Sequence, residues 1–178
     1  MPLDPVNSQT ARIFAEYKAA MAAVGQQNVS VVSDLEALYS KVLAVSAGSE
    51  FEHFVTMTLL AAVKLRSNPD VFSDYLINNL ITRKYFQWFD VDKPNFNKIW
   101  RAFIPDFGNV ISAEMEENAD AFDKIGDFMT VNQERNRLVH QNFAAASPDF
   151  TADEIFSKFS SACVAANLIE TLLAKHSP

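Results

Sequence analysis

The feature that most constrains this chain is the spacing of its apolar residues from position 35 to position 66. Leu35, Leu38, Val42, Val45, Phe51, Phe54, Leu59 and Val63, with Ser49 and Thr58 completing the pattern, recur mostly at intervals of three and four. That period lines one face of an α-helix, whereas a half-buried strand would place them at every second position. Ser33-Asp34-Leu35-Glu36 ahead of it reads as a cap with an acidic first turn. The run therefore predicts one long early helix ending near Arg66. Gly48, set among Ser46, Ala47 and Ser49, permits either a kink or a close approach by a second helix, and the small neighbours favour close approach.

The rest of the chain follows the same period. Only 4 glycines accompany 15 phenylalanines, too few turn residues for a β-sandwich, so the 178 residues are expected to form a single-domain, all-α helical bundle. Asn7-Ser8 caps a first helix through Ile13, Tyr17, Ala20 and Met21 that stops at Gly25. After Asn68-Pro69-Asp70 a helix runs from Val71 to Lys84, and the aromatic segment Tyr85 to Pro94 closes one end of the core. A short helix is expected from Asn95 to Phe103, a break from Pro105 to Asn109, and a helix from Val110 to Phe128. The outer face of that helix would solvate Glu114, Glu116, Glu117, Asp120 and Asp123. Thr130 and Gln133 are placed to cap the next helix, whose Leu138 and Val139 would face the core. Thr151-Ala152-Asp153-Glu154 is a further capping box, opening a last helix that buries Ile155, Phe159, Cys163, Ala166, Leu168, Ile169 and Leu172 before a tail at His176.

Charge and cysteine usage narrow the function classes. A formal net charge of -7 opposes broad, sequence-independent binding to a phosphate backbone, so any nucleic-acid contact must be local. Such a locus would contain Arg135 and Arg137 with Lys98 or Arg101. The lone Cys163 lies in an apolar run and reads as a core residue in a reducing compartment. No apolar run reaches membrane-spanning length and no leader-like segment opens the chain, so a cytoplasmic protein without a membrane partner is expected. His53 beside Glu50 and Glu52 lacks the repeated spacing of a zinc or di-iron site. A Gly-rich phosphate loop, a Cys pair and a nucleophile elbow are all missing, and no cofactor is expected.

Chemistry concentrates in Glu134-Arg135-Asn136-Arg137-Leu138-Val139-His140-Gln141. Arginine presents a planar fork of donors matched to phosphate, and histidine titrates near neutrality. Five residues along a helix turn the direction by about 500° and rise about 7.5 Å, leaving Arg135 and His140 roughly 140° apart. His140 instead shares a face with Asn136 and Arg137. The pair makes a poor self-contained site within one helix, whereas two copies across a two-fold axis could line one groove from both sides.

Arg135-Asn136-Arg137-Leu138-Val139-His140 has the form R-x4-H with Asn directly after the Arg, and it resembles the signature of HEPN (higher eukaryotes and prokaryotes nucleotide-binding) domains. Ser49-Glu50-Phe51-Glu52-His53-Phe54 resembles the small-x-aromatic-Glu-x-aromatic step in a long early helix of the RiboL-PSP and related HEPN branches. Tyr85 to Asp92 resembles their aromatic segment, and Thr151 onward their final helix. The resemblance covers about residues 30 to 175, with R-x4-H as its specific step. It implies an all-α, HEPN-like bundle that forms a homodimer and cleaves RNA without a metal, as a toxin or antiviral effector with an antitoxin or other protein partner. Carried over, Arg135 and His140 match the catalytic pair, Asn136 the polar residue after the Arg, and Glu52 the acidic position of the early helix. Some toxin branches place a Tyr two residues beyond the His, where this chain has Asn142.

The residue types suit that chemistry. His140 could accept the proton of a ribose 2′-hydroxyl, and Arg135 could stabilise charge on the pentavalent phosphate. Glu52 would orient the Arg or His, Asn136 would position phosphate or water, and Arg137 would bind RNA. The competing reading is a non-catalytic helical module that binds RNA, a nucleotide or a protein, with Arg135 paired to Glu134 or Glu52.

Overall fold

The computed structural model describes residues 2–24, 28–64, 85–89, 96–104 and 106–176. The expected stop at Gly25, the helix from Val71 to Lys84 and the end of the aromatic segment at Pro94 fall outside these residues. The described chain forms helices α1 (Gln9–Val24), α2 (Val29–Lys64), α3 (Tyr85–Phe89), α4 (Asn97–Phe103), α5 (Phe107–Glu117), α6 (Ala119–Asp123), α7 (Ile125–His140) and α8 (Ala152–His176). No strand occurs among the described residues, and the all-α expectation holds.

α2 is continuous through Gly48 for 36 residues, about 54 Å of helix. It packs against α1, α7 and α8, and α8 in turn packs against α7 and α1, so every large contact of the bundle touches this element or α8. Two apolar clusters lie along it. The larger joins Phe51, Val55 and Leu59 to Phe89, Trp100, Phe128, Phe159 and Ile169. The smaller joins Tyr17, Leu43 and Ala44 to Leu138, Ala152 and Ile155. α7 contributes Phe128, Met129 and Val131 to the first and Leu138 to the second. Its Arg135 therefore falls at the seam between them.

The local caps behave as their chemistry dictates. Ser8 Oγ accepts from the N–H of Ala11 at 2.9 Å. Thr151 and Glu154 form the reciprocal box, with the Thr151 N–H donating to Glu154 Oε2 at 2.8 Å and the Glu154 N–H to Thr151 Oγ1 at 3.2 Å. Cys163 is buried, and burial pushes its thiol up to about 12, which makes it an inert core side chain.

Several expectations are corrected. α2 begins at Val29, so Ser33 and Asp34 lie inside it rather than before it. The helix expected from Val110 to Phe128 breaks at Asn118 and again at Lys124, and α7 starts at Ile125. Thr130 is therefore interior, and its hydroxyl donates back to the Gly126 carbonyl at 2.8 Å instead of capping. Val139 faces outward at 48% exposure while Leu138 is fully buried. Glu114 is buried rather than solvated, held by Lys175 at 2.9 Å and by His176, so His176 anchors the end of α8 instead of fraying. Burial alone would raise the Glu114 carboxyl, but the bonds from Lys175 and His176 outweigh it and hold the group below its ordinary value.

Candidate functional site

Two of the residues singled out by sequence, Arg135 and Glu52, meet where α7 crosses α2. Arg135 Nη2 donates to Glu52 Oε2 at 3.0 Å, with the Arg135 side chain 15% exposed. Gly48 makes this approach possible. A Cβ added there would lie 2.6 Å from Arg135 Cγ and 2.7 Å from Arg135 Cβ, so the stem of the arginine occupies the space a side chain would take. The small-residue step at positions 46–49 thus serves close approach and not a kink, since α2 runs through it unbroken.

His140 ends α7 and is exposed, and its ring makes no hydrogen bond to another of the described residues. Asn136, one turn earlier, is half-buried. Together Arg135 and Glu52 place an oriented guanidinium at the helix crossing, and His140 leaves a titratable ring open at the helix end.

Arg137 has a different situation. Its Nε and Nη2 donate to Glu134 at 2.8 and 2.6 Å, Nη2 also reaches the Ser147 carbonyl at 2.8 Å, and Asp149 lies 3.2 Å away. Hydrogen bonding to Glu134 raises its already high pKa. Glu134 is buried, and the same carboxylate accepts from the Asp149 N–H at 3.2 Å. Arg137 and Glu134 thus tie the C-terminal half of α7 to the 141–151 loop. The Arg137 side chain keeps 25% of its surface exposed while it makes that tie. Lys98 and Arg101 are exposed on α4, which packs chiefly on α3 and α5.

Sequence reasoning missed the supports around this site. Asn132, fully buried, donates to the Phe128 carbonyl at 2.8 Å and accepts from the Tyr85 hydroxyl at 2.9 Å, joining α3 to α7 one turn below Arg135. Burial keeps the Tyr85 hydroxyl protonated well above its ordinary range. Glu50, near Glu52 on α2, accepts from the N–H groups of Gln9 and Thr10 at 2.6 and 3.2 Å and caps α1. Glu36 does the same for α8 through the Ala152 N–H at 2.6 Å while accepting from the Tyr17 hydroxyl. These acids lie far in sequence from the helix ends they cap, and a single-chain pattern holds no local signal for them.

A cavity of about 720 Å³ opens between the N-terminal segment and α2, lined by Leu3, Glu50, His53, Phe54 and Met57 among others. None of Glu52, Arg135, Asn136, Arg137 or His140 lines it. Among the described residues no three His, Cys, Asp or Glu side chains converge as a metal site would require, and no helix is long and apolar enough to cross a membrane.

The family model for RiboL-PSP-HEPN matches residues 9–175. The chain belongs to that family. No curated protein and no solved structure matched it. The match takes in all of α1 to α7 and all but the last residue of α8, so the RiboL-PSP-HEPN domain includes the Arg135–Glu52 crossing, His140 and the loop that Glu134 secures.

Proposed function

We propose that the protein is an endoribonuclease that needs no metal ion and acts as a homodimer, in a groove to which each chain supplies Arg135 and His140. The observation that carries this reading is the pairing, on one helix, of an arginine fixed by Glu52 with a histidine left open to solvent. Neutral His140 takes the proton of a ribose 2′-hydroxyl, and the 2′-oxygen attacks phosphorus. The bond from phosphorus to the 5′-oxygen then breaks, and that oxygen takes a proton from the protonated His140 of the partner subunit. The products are a 2′,3′-cyclic phosphate and a free 5′-hydroxyl. Arg135 stabilises the extra charge of the pentavalent phosphate, Glu52 orients Arg135, and Asn136 positions phosphate or water. DNA lacks the attacking hydroxyl and survives. Family membership supports the role of a toxin or antiviral effector, with an antitoxin as protein partner.

The test is RNA cleavage with a chelator present. His140→Ala and Arg135→Ala should each slow cleavage by about 100- to 10,000-fold, the usual range for losing an acid-base group or a charge-stabilising donor. Equal cleavage by all three proteins sinks the assignment. Sedimentation of the wild type should give twice the chain mass. A second reading, a non-catalytic helical module that binds RNA, a nucleotide or a protein, draws support from the ion pairs that engage Arg135 and Arg137 within one chain. A wild type that cuts none of several RNAs sustains it.

A further inference from the structure

Immediately after His140 the chain makes a fixed turn. The Asn142 carbonyl accepts from the N–H groups of Ala145 and Ala146 at 2.9 and 2.8 Å, and its side chain accepts from the Ala144 N–H at 3.2 Å. An Asn that bonds its own following backbone locks such a turn. The turn displays Phe143, which is 39% exposed and stacks on no other ring among the described residues, although aromatic rings pair along both α2 and α7. Lys41 comes to it from α2. Its Nζ lies 5.6 Å from the centre of the Phe143 ring and donates to the carbonyls of Phe143 at 3.1 Å and Ala144 at 3.5 Å. Those acceptors carry no formal charge, and among the described residues no carboxylate pairs with Lys41, in contrast to Lys18, Lys158 and Lys175.

We propose that Phe143 and Lys41 form a stacking subsite for an unpaired nucleobase and its phosphate, next to His140. The proposal rests on the reading of His140 as the cleaving end of the site and adds how the substrate strand is held there. Three residues of chain cannot exceed about 11 Å, so Phe143 lies within a nucleotide or two of the His140 ring. An exposed aromatic backed by a cation is the pairing by which proteins bind single strands without reading their sequence. In a chain of net charge -7 a lysine that no carboxylate of the described residues neutralises is what a local phosphate contact requires. A base-paired substrate could not present its face to the ring, so the subsite selects unpaired RNA.

The experiment uses His140→Ala as background, so that RNA stays intact, and reads anisotropy of a fluorescein-labelled single-stranded RNA and of the DNA of the same sequence. Adding Phe143→Ala should weaken both about tenfold or more, because stacking ignores the 2′-hydroxyl. Phe143→Leu should match Phe143→Ala, and Phe143→Trp should restore binding, with unchanged melting showing that the turn survives. Lys41→Gln should shallow the salt dependence of log affinity by about 0.7. Binding that is unchanged in Phe143→Ala and Phe143→Leu overturns the subsite. So does a shift in sedimentation with binding unchanged, which would give this face to a second copy of the chain. Cleavage by the wild type is scored separately: Phe143-dependent binding without cleavage upholds the subsite and removes the nuclease reading, and cleavage with Phe143-independent binding does the reverse.

Discussion

Arg135 and His140 stand five residues apart on α7, in surroundings that differ at every level. The arginine stem lies in the notch left by Gly48, its guanidinium is anchored by Glu52, and apolar clusters flank it on both sides. The histidine ends the helix in solvent, and the loop after it is secured by Glu134 and Arg137. A long side chain carries about 2 kcal/mol of rotamer entropy, and a guanidinium that must meet a phosphate in one orientation is best ordered in advance. An imidazole on a short stem needs less ordering but must exchange protons with water between cycles. The pair thus divides into a preset half and an open half, the division that the proposed two-chain mechanism uses.

Three substitutions break or sharpen this contrast. The largest effect is expected from Glu134→Ala, which leaves the Arg137 guanidinium and the Asp149 N–H without their shared acceptor. Because Arg137 remains partly in water, the loss should sit at the low end for a broken buried pair, about 3 kcal/mol by urea unfolding. A change below about 0.5 kcal/mol, the size of an ordinary surface substitution, would mean that the loop is held by something else. Gly48→Ala comes next. Overpacking against the arginine stem costs about 1–3 kcal/mol, and replacing a helical glycine returns about 1 kcal/mol, so a net loss of up to about 2 kcal/mol is expected. A stabilised variant would show that the helices do not press together there. Arg135→Ala would relieve the clash only in part, since the Cβ contact remains.

Glu52→Gln should cost least in stability, at most about 1 kcal/mol for a partly exposed ion pair. Its effect should fall on cleavage instead, lowering kcat more than it raises KM. Equal kcat in wild type and variant would remove Glu52 from the site and leave Gly48 alone to set the arginine.

What the sequence disclosed was mostly local. Ser8 and the Thr151–Glu154 box lie within three residues of the groups they satisfy, and the apolar period of α2 and α8 follows from helix geometry alone. Close approach at Gly48 was readable from the small residues around it, although its partner Arg135 was not. Failures came where a side chain answers to something distant. Glu114 looked solvated because Lys175 and His176, which bury it, come from the far end of the chain. Thr130 resembled a cap because its back-bond to Gly126 cannot be told from capping by residue type. Of the candidate site, the helix that carries Arg135 and His140 could be read in advance. The Glu52 anchor was one of two partners left open for Arg135, and the engagement of Arg137 with Glu134 and Asp149 was not foreseen.

The notch at Gly48 acts as a keyway. A helix sliding along α2 would find side chains at every neighbouring register, and only here can the Arg135 stem drop between them. The axial position of α7, and with it the height at which His140 emerges, is therefore indexed by the absence of a single carbon atom. Any related chain that carries a larger residue at this position must hold its two helices farther apart or present its arginine from a different height.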